Sequence, residues 1–192
     1  VQSQTSYKAA CQDQLEEFIH RLSKEDQLKS LKTQFDLPTY DVNSFRYQED
    51  FSHRLPVIQE SLQLTVTDYA QVSGKRIFIN PDILTRSRIK LEEDKDRQLG
   101  VELSSESCYI DSVQIAVPAG YQTESLPENI HLQGKFGNYE THIAIEPDKI
   151  VYYRKWERYS GRFPVSEYND LVKFYNEIYK SDHSKIVLVK KS

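Results

Sequence analysis

Alternating side chains between residues 130 and 158 constrain the fold of this chain more than any other feature. The stretch turns at the letters EPDK and then returns as KIVYYRKWER. Successive side chains of a strand point to opposite faces, so alternation predicts strands that are half buried. The segment therefore predicts an antiparallel hairpin in a β-rich protein. Before the turn, one face would carry Tyr139, Thr141, Ile143 and Ile145, and the other Glu140, His142, Ala144 and Glu146.

Further strands are predicted on both sides of this hairpin. Alternation recurs between residues 39 and 67, in a hairpin around Ser73-Gly74, and in two strands within 99–117. Pro118 ends the last of these because proline has no N–H for the ladder, and Gly120 permits a tight turn after it. Runs of antiparallel strands separated by turns are typical of a sandwich.

Helices are predicted near the two ends of the chain. Residues 13–37 read as two helices, with Ser23 capping the second and Asp26 completing an approximate capping box. A second helical stripe consists of Tyr168, Leu171, Val172, Tyr175, Ile178 and Tyr179. The letters KIVLVKK close the chain as a central strand, which we expect to be buried on both faces. The predicted fold is mainly β with α: an antiparallel β-sandwich with N-terminal helices and one C-terminal helix followed by a final strand.

Charge and hydropathy narrow the classes of function. The net charge is −4, and a weakly acidic chain lacks the basic field that phosphate backbones require, so nucleic-acid partners are not expected. No apolar run approaches the ~20 residues that span a bilayer, so no membrane span is expected. Residues 84–98 are dense in both charge signs and predict a surface loop.

Thiol catalysis is one hypothesis for an activity. Cys11 precedes a predicted helix, and His142 and Asp148 follow in the chain order of a Cys-His-Asp triad. Geometry decides such a triad, and sequence order does not supply it. Cys108 falls in a predicted strand, as buried inert cysteines commonly do. The spacing leaves open whether Cys11 and Cys108 form a disulfide or stay free thiols.

Metal, nucleotide and cofactor sites have no recognisable motif. The histidines lack the spacing of a structural zinc site, and the charged run EEDKD lacks the ligand spacing of a calcium loop. The six glycines form no phosphate-binding loop. We therefore expect no metal and no cofactor. The five histidines are His20, His53, His131, His142 and His183.

An aromatic and basic cluster is the remaining candidate for binding. Trp156 and Tyr159 lie close to Arg158 in the chain, and such groups stack on sugars or anchor a protein partner. Strand parity places Ile150, Tyr152, Arg154 and Trp156 on one side, where part of the set would belong to the core. The candidate binding residues are Trp156, Arg158 and Tyr159.

Four segments in this order resemble the C-terminal region of a group of bacterial transglutaminase-like proteins. In that group an N-terminal β domain precedes a transglutaminase (cysteine-protease-like) domain, and a C-terminal β-sandwich domain of unknown function follows. The resemblance runs from about residue 22 to the end and covers no catalytic motif of that family. The segments are SGKRIFINPDILTRS, VPAGYQTESLPENI, FGNYETHIAI and GRFPVSEYNDLVKFYNEIYKSDHSKIVLVKK.

The resemblance implies a non-catalytic C-terminal module in an extracytoplasmic, periplasmic protein of a Gram-negative bacterium. Residues 1–38 would be a linker or the helical remnant of a preceding domain, and residues 39–192 the β-sandwich domain. The absence of methionine favours a processed or trimmed chain, and residues 1–12 should pack poorly. The partner would be the preceding transglutaminase-like domain or a cell-surface protein or glycan. Two alternatives remain: a carbohydrate-binding module using Trp156 and Tyr159, and a hydrolase or acyl transferase using Cys11.

Overall fold

The fold is mainly β, as the alternating patterns predict. The structure, a computed structural model, describes residues 2–52 and 57–191, without the side chains of residues 8–14. The helices are α1 (Ala10–Arg21), α2 (Lys24–Gln34) and α3 (Tyr168–Asp182). The strands are β1 (Gln2–Ala9), β2 (Thr39–Asp50), β3 (Val57–Thr67), β4 (Gln71–Ser73), β5 (Arg76–Ile79), β6 (Val101–Leu103), β7 (Ser107–Ala116), β8 (Tyr121–Ser125), β9 (Ile130–Gly134), β10 (Gly137–Ile145), β11 (Lys149–Arg158), β12 (Gly161–Phe163) and β13 (Ile186–Lys190).

A seven-stranded antiparallel sheet forms the larger layer. Its strand order is β2-β3-β1-β7-β11-β10-β9, so the first strand lies inside the sheet, between β3 and β7. The prediction that residues 1–12 pack poorly is therefore wrong for Gln2–Ala9. Both faces of this strand carry mostly polar side chains, so its sequence shows no hydrophobic alternation. Ser3 and Thr5 are nevertheless buried. The domain boundary at residue 38 stays a prediction.

A four-stranded antiparallel sheet, in the order β4-β5-β13-β8, forms the second layer. The predicted central position of the last strand is confirmed, because β13 lies between β5 and β8. Ile186 and Leu188 are fully buried, whereas the alternate residues Val187 and Val189 are half-buried. The strand is therefore covered mainly on one face, and the prediction that both of its faces are fully buried is wrong.

The two layers meet on one face of the seven-stranded sheet, which we call the inner face. Ile150 of β11 packs there against Ile186 and Leu188 of the smaller sheet. At the other end of β11, Trp156 packs against Leu171 and Tyr175 of α3. The inner face is thus covered by the small sheet at one end and by the C-terminal helix at the other.

The N-terminal helices cover the remaining part of the inner face. Leu31 of α2 is fully buried against Leu62 and Leu64 of β3. The helix begins where the sequence predicts, since the Ser23 hydroxyl accepts a hydrogen bond from the Asp26 amide at 3.1 Å. α1 thus lies over β1, β3 and β7, whereas α2 lies over β2 and β3 at one edge of the sheet.

Turns and loops agree with most of the sequence-based expectations. The Tyr121 amide donates to the Pro118 carbonyl at 3.0 Å, and Gly120 supplies the positive φ of 81° that this tight turn needs. The segment between β5 and β6 carries no helix or strand, in line with the predicted loop. The predicted surface loop, residues 84–98, is not wholly on the surface, however, because Ser87 is buried.

Candidate functional site

A row of polar side chains crosses the inner face of the seven-stranded sheet. The register sets these residues directly opposite one another, so all of them point to the same side. The rows on either side are mostly apolar or aromatic, with Ser3 and Glu49 as exceptions, so the polar row stands out inside the core. From β2 to β10 the row consists of Tyr47, Glu60, Thr5, Asp111, Arg154 and Thr141.

Arg154 is the centre of a buried ionic cluster. Its guanidinium is 0% exposed and forms a bidentate pair with Asp182, with Nε–Oδ1 and Nη2–Oδ2 distances of 2.9 Å. Nε also lies 3.2 Å from Oδ2 of Asp82, and Nη1 lies 3.4 Å from Oδ2 of Asp111. One cation thus faces three buried carboxyl groups, which come from the sheet, a loop and the end of α3.

Three ionised carboxylates around one guanidinium would leave an excess of negative charge in the core. Burial raises the pKa of the Asp82 carboxyl to about 8, although the positive charge of Arg154 acts in the opposite direction. Burial also raises the pKa of Asp111. Asp182 receives the bidentate pair and a hydrogen bond from the Tyr139 hydroxyl at 2.6 Å. The raised pKa lets the Asp82 carboxyl hold a proton at neutral pH, which reduces the excess of negative charge.

The ionic cluster fixes the loop after β5 against the sheet. The Ser87 amide donates to Oδ2 of Asp182 at 2.8 Å, and Thr85 donates to Asp111. Further along, the backbone of Leu91 exchanges two hydrogen bonds with the side chain of Asn176, at 3.1 and 3.0 Å. The buried charges therefore hold residues 82–91 in a defined path over the inner face.

A cavity of about 570 Å³ lies between this loop, the N-terminal helices and the sheet. Its volume falls within the usual range of small-molecule sites, about 300–1,000 Å³. Tyr7, Tyr109 and Trp156 stand side by side on neighbouring strands and form its floor. The helices and the loop add Leu15, Phe18, Ser30, Gln34, Phe35, Asp36, Ile83, Leu84, Thr85, Arg86, Ser87, Arg88, Ile89, and β11 adds Arg158.

The cavity has an excess of positive charge among its described residues. Its lining contains Arg86, Arg88 and Arg158 but one carboxylate, Asp36. Oδ2 of Asp36 lies 3.5 Å from Nη2 of Arg86 and 3.8 Å from Nη2 of Arg88. The Arg158 guanidinium lies over the Trp156 ring, 5.7 Å from its centroid. Aromatic surface and unneutralised guanidinium groups therefore meet in one place.

Tyr7 connects the cavity to the polar row. Its ring packs edge to face on Tyr109, with ring centroids 6.0 Å apart, and its hydroxyl donates to Oε1 of Glu60 at 3.0 Å. Burial raises the pKa of the Glu60 carboxyl, while hydrogen bonds from Tyr47 and Tyr7 act to lower it. The floor of the cavity is thus held by a buried hydrogen bond.

Two of the three binding residues predicted from the sequence lie at this cavity. Trp156 and Arg158 point to the inner face and line it, whereas Tyr159 lies outside its lining. The Tyr159 hydroxyl accepts a hydrogen bond from Nδ2 of Asn138 at 2.6 Å, and its side chain is half-exposed. Strand parity is confirmed for Ile150, Tyr152, Arg154 and Trp156, all of which are buried.

Trp156 does not form an exposed stacking platform. It is only 5% exposed because it packs edge to face on Tyr175, with ring centroids 6.0 Å apart. Its indole N–H is buried and has no acceptor within the described part of the chain. A sugar approaching from solvent therefore meets at most an edge of this ring.

The hypothetical Cys11, His142 and Asp148 triad is divided by the sheet. Cys11 belongs to α1, whose Leu15 and Phe18 line the inner-face cavity, although the Cys11 side chain is outside the described residues. His142 is exposed on the opposite, outer face of β10, and Asp148 lies in the turn before β11. The pairing of Cys11 with Cys108 is also outside what the structure describes.

Sequence reasoning missed most of the lining of the cavity. The letters TRSR at residues 85–88 carry two arginines in a segment interpreted as a solvated loop. The sequence patterns also gave no sign of a group formed by Glu16, His20 and Glu49, whose potential metal-ligand atoms all lie within 4.8 Å of one another. His53 lies outside the described residues. An Arg on the buried face of a predicted strand, Arg154, was the available signal of a polar core.

The fold is a mainly β domain built of antiparallel sheets, with a cavity on the inner face of the larger sheet. A family model described as a domain of unknown function, DUF3858, matches residues 75–188, and the chain belongs to that family. No curated protein and no solved structure matches the chain. None of the helices in the described ranges has the length and apolar character to cross a bilayer.

Proposed function

We propose that this chain is a non-catalytic recognition module whose inner-face cavity binds an acidic, partly apolar segment of a protein partner. The observation that carries the proposal is the meeting of an aromatic floor with three arginines in a cavity of about 570 Å³. Apolar side chains of the partner would pack on Tyr7 and Tyr109. Its carboxylates would face Arg86, Arg88 and Arg158, which form charge-assisted hydrogen bonds with such groups.

The arginines of the cavity suit recognition because their charge is incompletely neutralised. Asp36 is shared by two of them at 3.5 and 3.8 Å, and Arg88 keeps 70% of its side chain exposed. Partial exposure lowers the cost of leaving a cation without a counterion. An incoming carboxylate would therefore gain a partner without breaking a strong internal ion pair.

A place in a longer transglutaminase-like protein is a further part of the proposal. It rests on the resemblance of four segments to the C-terminal domain of such proteins. The partner segment would then come from the preceding domain of the same chain or from a protein in the periplasm.

The fluorescence of Trp156 provides the test, because it is the only tryptophan of the chain and lines the cavity. The probes are a blocked peptide of alternating leucine and glutamate and a matched peptide with glutamine in place of glutamate. We expect the glutamate peptide to change the emission of Trp156 and the glutamine peptide to leave it unchanged. Binding should weaken as salt is raised, because screening shortens the reach of exposed charges to about 10 Å at 0.1 M.

The matched pair of variants is Arg158→Gln and Arg162→Gln. Arg158 lines the cavity, whereas Arg162 lies on β12 with its side chain 84% exposed and is outside the cavity lining. The first variant should lose the response and the second should keep it. Equal losses in both variants, or an equal response to the glutamine peptide, would contradict recognition of carboxylates at this cavity.

The two alternative functions have less support from the geometry. A carbohydrate platform needs exposed rings, and Trp156 is 5% exposed. A titration with neutral and uronic-acid oligosaccharides under the same fluorescence assay tests that alternative directly. Thiol catalysis by Cys11 with His142 would need both residues on one side of the sheet, whereas His142 is on the outer face. Loss of a measured activity on alkylation would be required to support it.

A further inference from the structure

Three potential metal ligands converge where side chains of α1 meet those of β2. Glu16 and His20 are four residues apart, which places them on the same face of α1. Glu49 reaches them from β2, with Oε1 at 3.0 Å from Nε2 of His20. One ligand atom from each of the three residues lies within 4.8 Å of the others. Small rotations of these side chains would bring all three atoms onto a single ion.

We propose that Glu16, His20 and Glu49 form a binding site for a divalent cation of the zinc class, which joins α1 to β2. An imidazole nitrogen suits zinc and the neighbouring transition metals, whereas calcium and magnesium prefer sites made of oxygen alone. Two carboxylates and a neutral imidazole carry a charge that a divalent cation offsets. Water completes the coordination, because the His20 side chain is 58% exposed.

The surrounding contacts already hold the two elements in the orientation that the site needs. Phe18 of α1 packs edge to face on Tyr47 of β2, with ring centroids 6.0 Å apart. Tyr47 and Glu49 are two residues apart on the same strand, so both point toward the helix. The ligands therefore sit beside a packed aromatic contact instead of on two free surfaces.

The site would act on the rim of the cavity. Leu15 and Phe18 line the cavity and lie next to Glu16 on the same helix. A cation that fixes α1 against β2 would hold these two side chains in place. Metal binding would then make the rim of the cavity more rigid. The metal site itself does not depend on which ligand the cavity binds.

A second His–Glu pair in the chain provides a matched comparison. Nδ1 of His131 lies 3.6 Å from Oε2 of Glu140, and both residues are partly exposed, as at His20 and Glu49. Within the described ranges no third ligand joins this pair. If an ion pair were the whole role of His20, the two histidines should behave alike toward metal.

Calorimetric titration of the metal-free protein with Zn²⁺ at neutral pH tests the proposal. We expect one bound ion per chain and a rise in melting temperature, because a ligand that binds only the folded state stabilises it. His20→Gln and Glu49→Gln should weaken binding by at least about tenfold, since the loss of even an indirect partner commonly costs that much. His131→Gln should bind as the unchanged protein does.

Cobalt spectroscopy separates this site from adventitious binding to cysteine. Co²⁺ bound by nitrogen and oxygen gives weak visible bands, whereas thiolate ligands add a strong near-ultraviolet charge-transfer band. We expect only the weak bands, and their loss in His20→Gln. A thiolate band, unchanged binding in His20→Gln, or tighter binding of Ca²⁺ than of Zn²⁺ would overturn the proposal.

Discussion

Within the described ranges, two arginine–aspartate groups of opposite composition both include residues of the loop between β5 and β6. In the buried group one arginine, Arg154, faces Asp82, Asp111 and Asp182. At the cavity two arginines share one carboxylate, Asp36. The first group has an excess of carboxyl groups and the second an excess of guanidinium groups.

Burial decides what each excess does. In the core, an unpaired carboxylate in a dry interior costs several kcal/mol. One of the surplus carboxyl groups around Arg154 therefore takes up a proton. At the cavity water solvates the surplus cations, and exposed ion pairs are worth only about 0–1 kcal/mol. The buried group therefore builds the wall of the cavity, and the exposed group remains available to a ligand.

The largest effect is expected from removing the only cation of the buried group. Arg154→Met should lower the free energy of unfolding by about 3–5 kcal/mol, since breaking a buried pair leaves uncompensated charge. The loss should be smaller at pH 5 than at pH 8, because the abandoned carboxyls can take up protons. Urea denaturation at the two pH values measures both effects.

A matched substitution at an exposed arginine provides the control for that result. Arg162 pairs with Glu102 at 3.4 Å but keeps 84% of its side chain exposed. Arg162→Met should change the free energy of unfolding by no more than about 0.5 kcal/mol. If Arg154→Met were equally harmless, the buried cluster would not be what holds the loop and the sheet together.

Asp82→Asn should change the pH dependence of the free energy of unfolding more than it changes the free energy of unfolding at low pH. The folded pKa of Asp82 is raised to about 8 from 3.8, so the folded state binds the extra proton between these values. Stability from this group is present at low pH and falls as pH rises toward 8, by up to about 1.4 kcal/mol per pH unit. The variant should remove that part of the slope in denaturation curves from pH 5 to 8.

Asp26→Asn serves as the comparison for the slope. Hydrogen bonds from Ser23 and Lys29 lower the pKa of Asp26, so it is ionised in both folded and unfolded states across this range. The substitution should shift the curve without changing its slope. A slope that survives Asp82→Asn would mean that Asp111 or Glu60, whose pKa values burial also raises, carries the proton.

Local patterns predicted the elements of the buried apolar core well. The stripe of α3 and the alternation of β11 and β13 could be read from neighbouring residues, because each element meets the core along one face. β1 escaped prediction because its buried positions include Ser3 and Thr5, which give no hydrophobic signal. β1 is held by pairing with β3 and β7, two strands that are distant from it in the sequence.

The site depended on long-range register and could be predicted only in part. Parity placed Trp156 on the same face as Tyr152 and Arg154, and the proximity of Arg158 in the chain made it a candidate; both Trp156 and Arg158 line the cavity. No local rule brings Asp82 and Asp182 to Arg154, since they come from a loop and a helix end. The arginines of the loop read as solvated charge because their partner, Asp36, lies about fifty residues earlier in the chain.

The smallest effect on stability is expected at the exposed group, and it tests the other half of the comparison. Arg88→Gln should change the free energy of unfolding by at most about 0.5 kcal/mol, because Arg88 is 70% exposed and Asp36 keeps Arg86 at 3.5 Å. The same variant should weaken binding of the leucine–glutamate peptide and reduce its sensitivity to salt. Urea denaturation and Trp156 fluorescence measure the two properties on one sample. A large loss of stability with unchanged peptide binding would assign the cavity arginines to the scaffold and reverse the roles of the two groups.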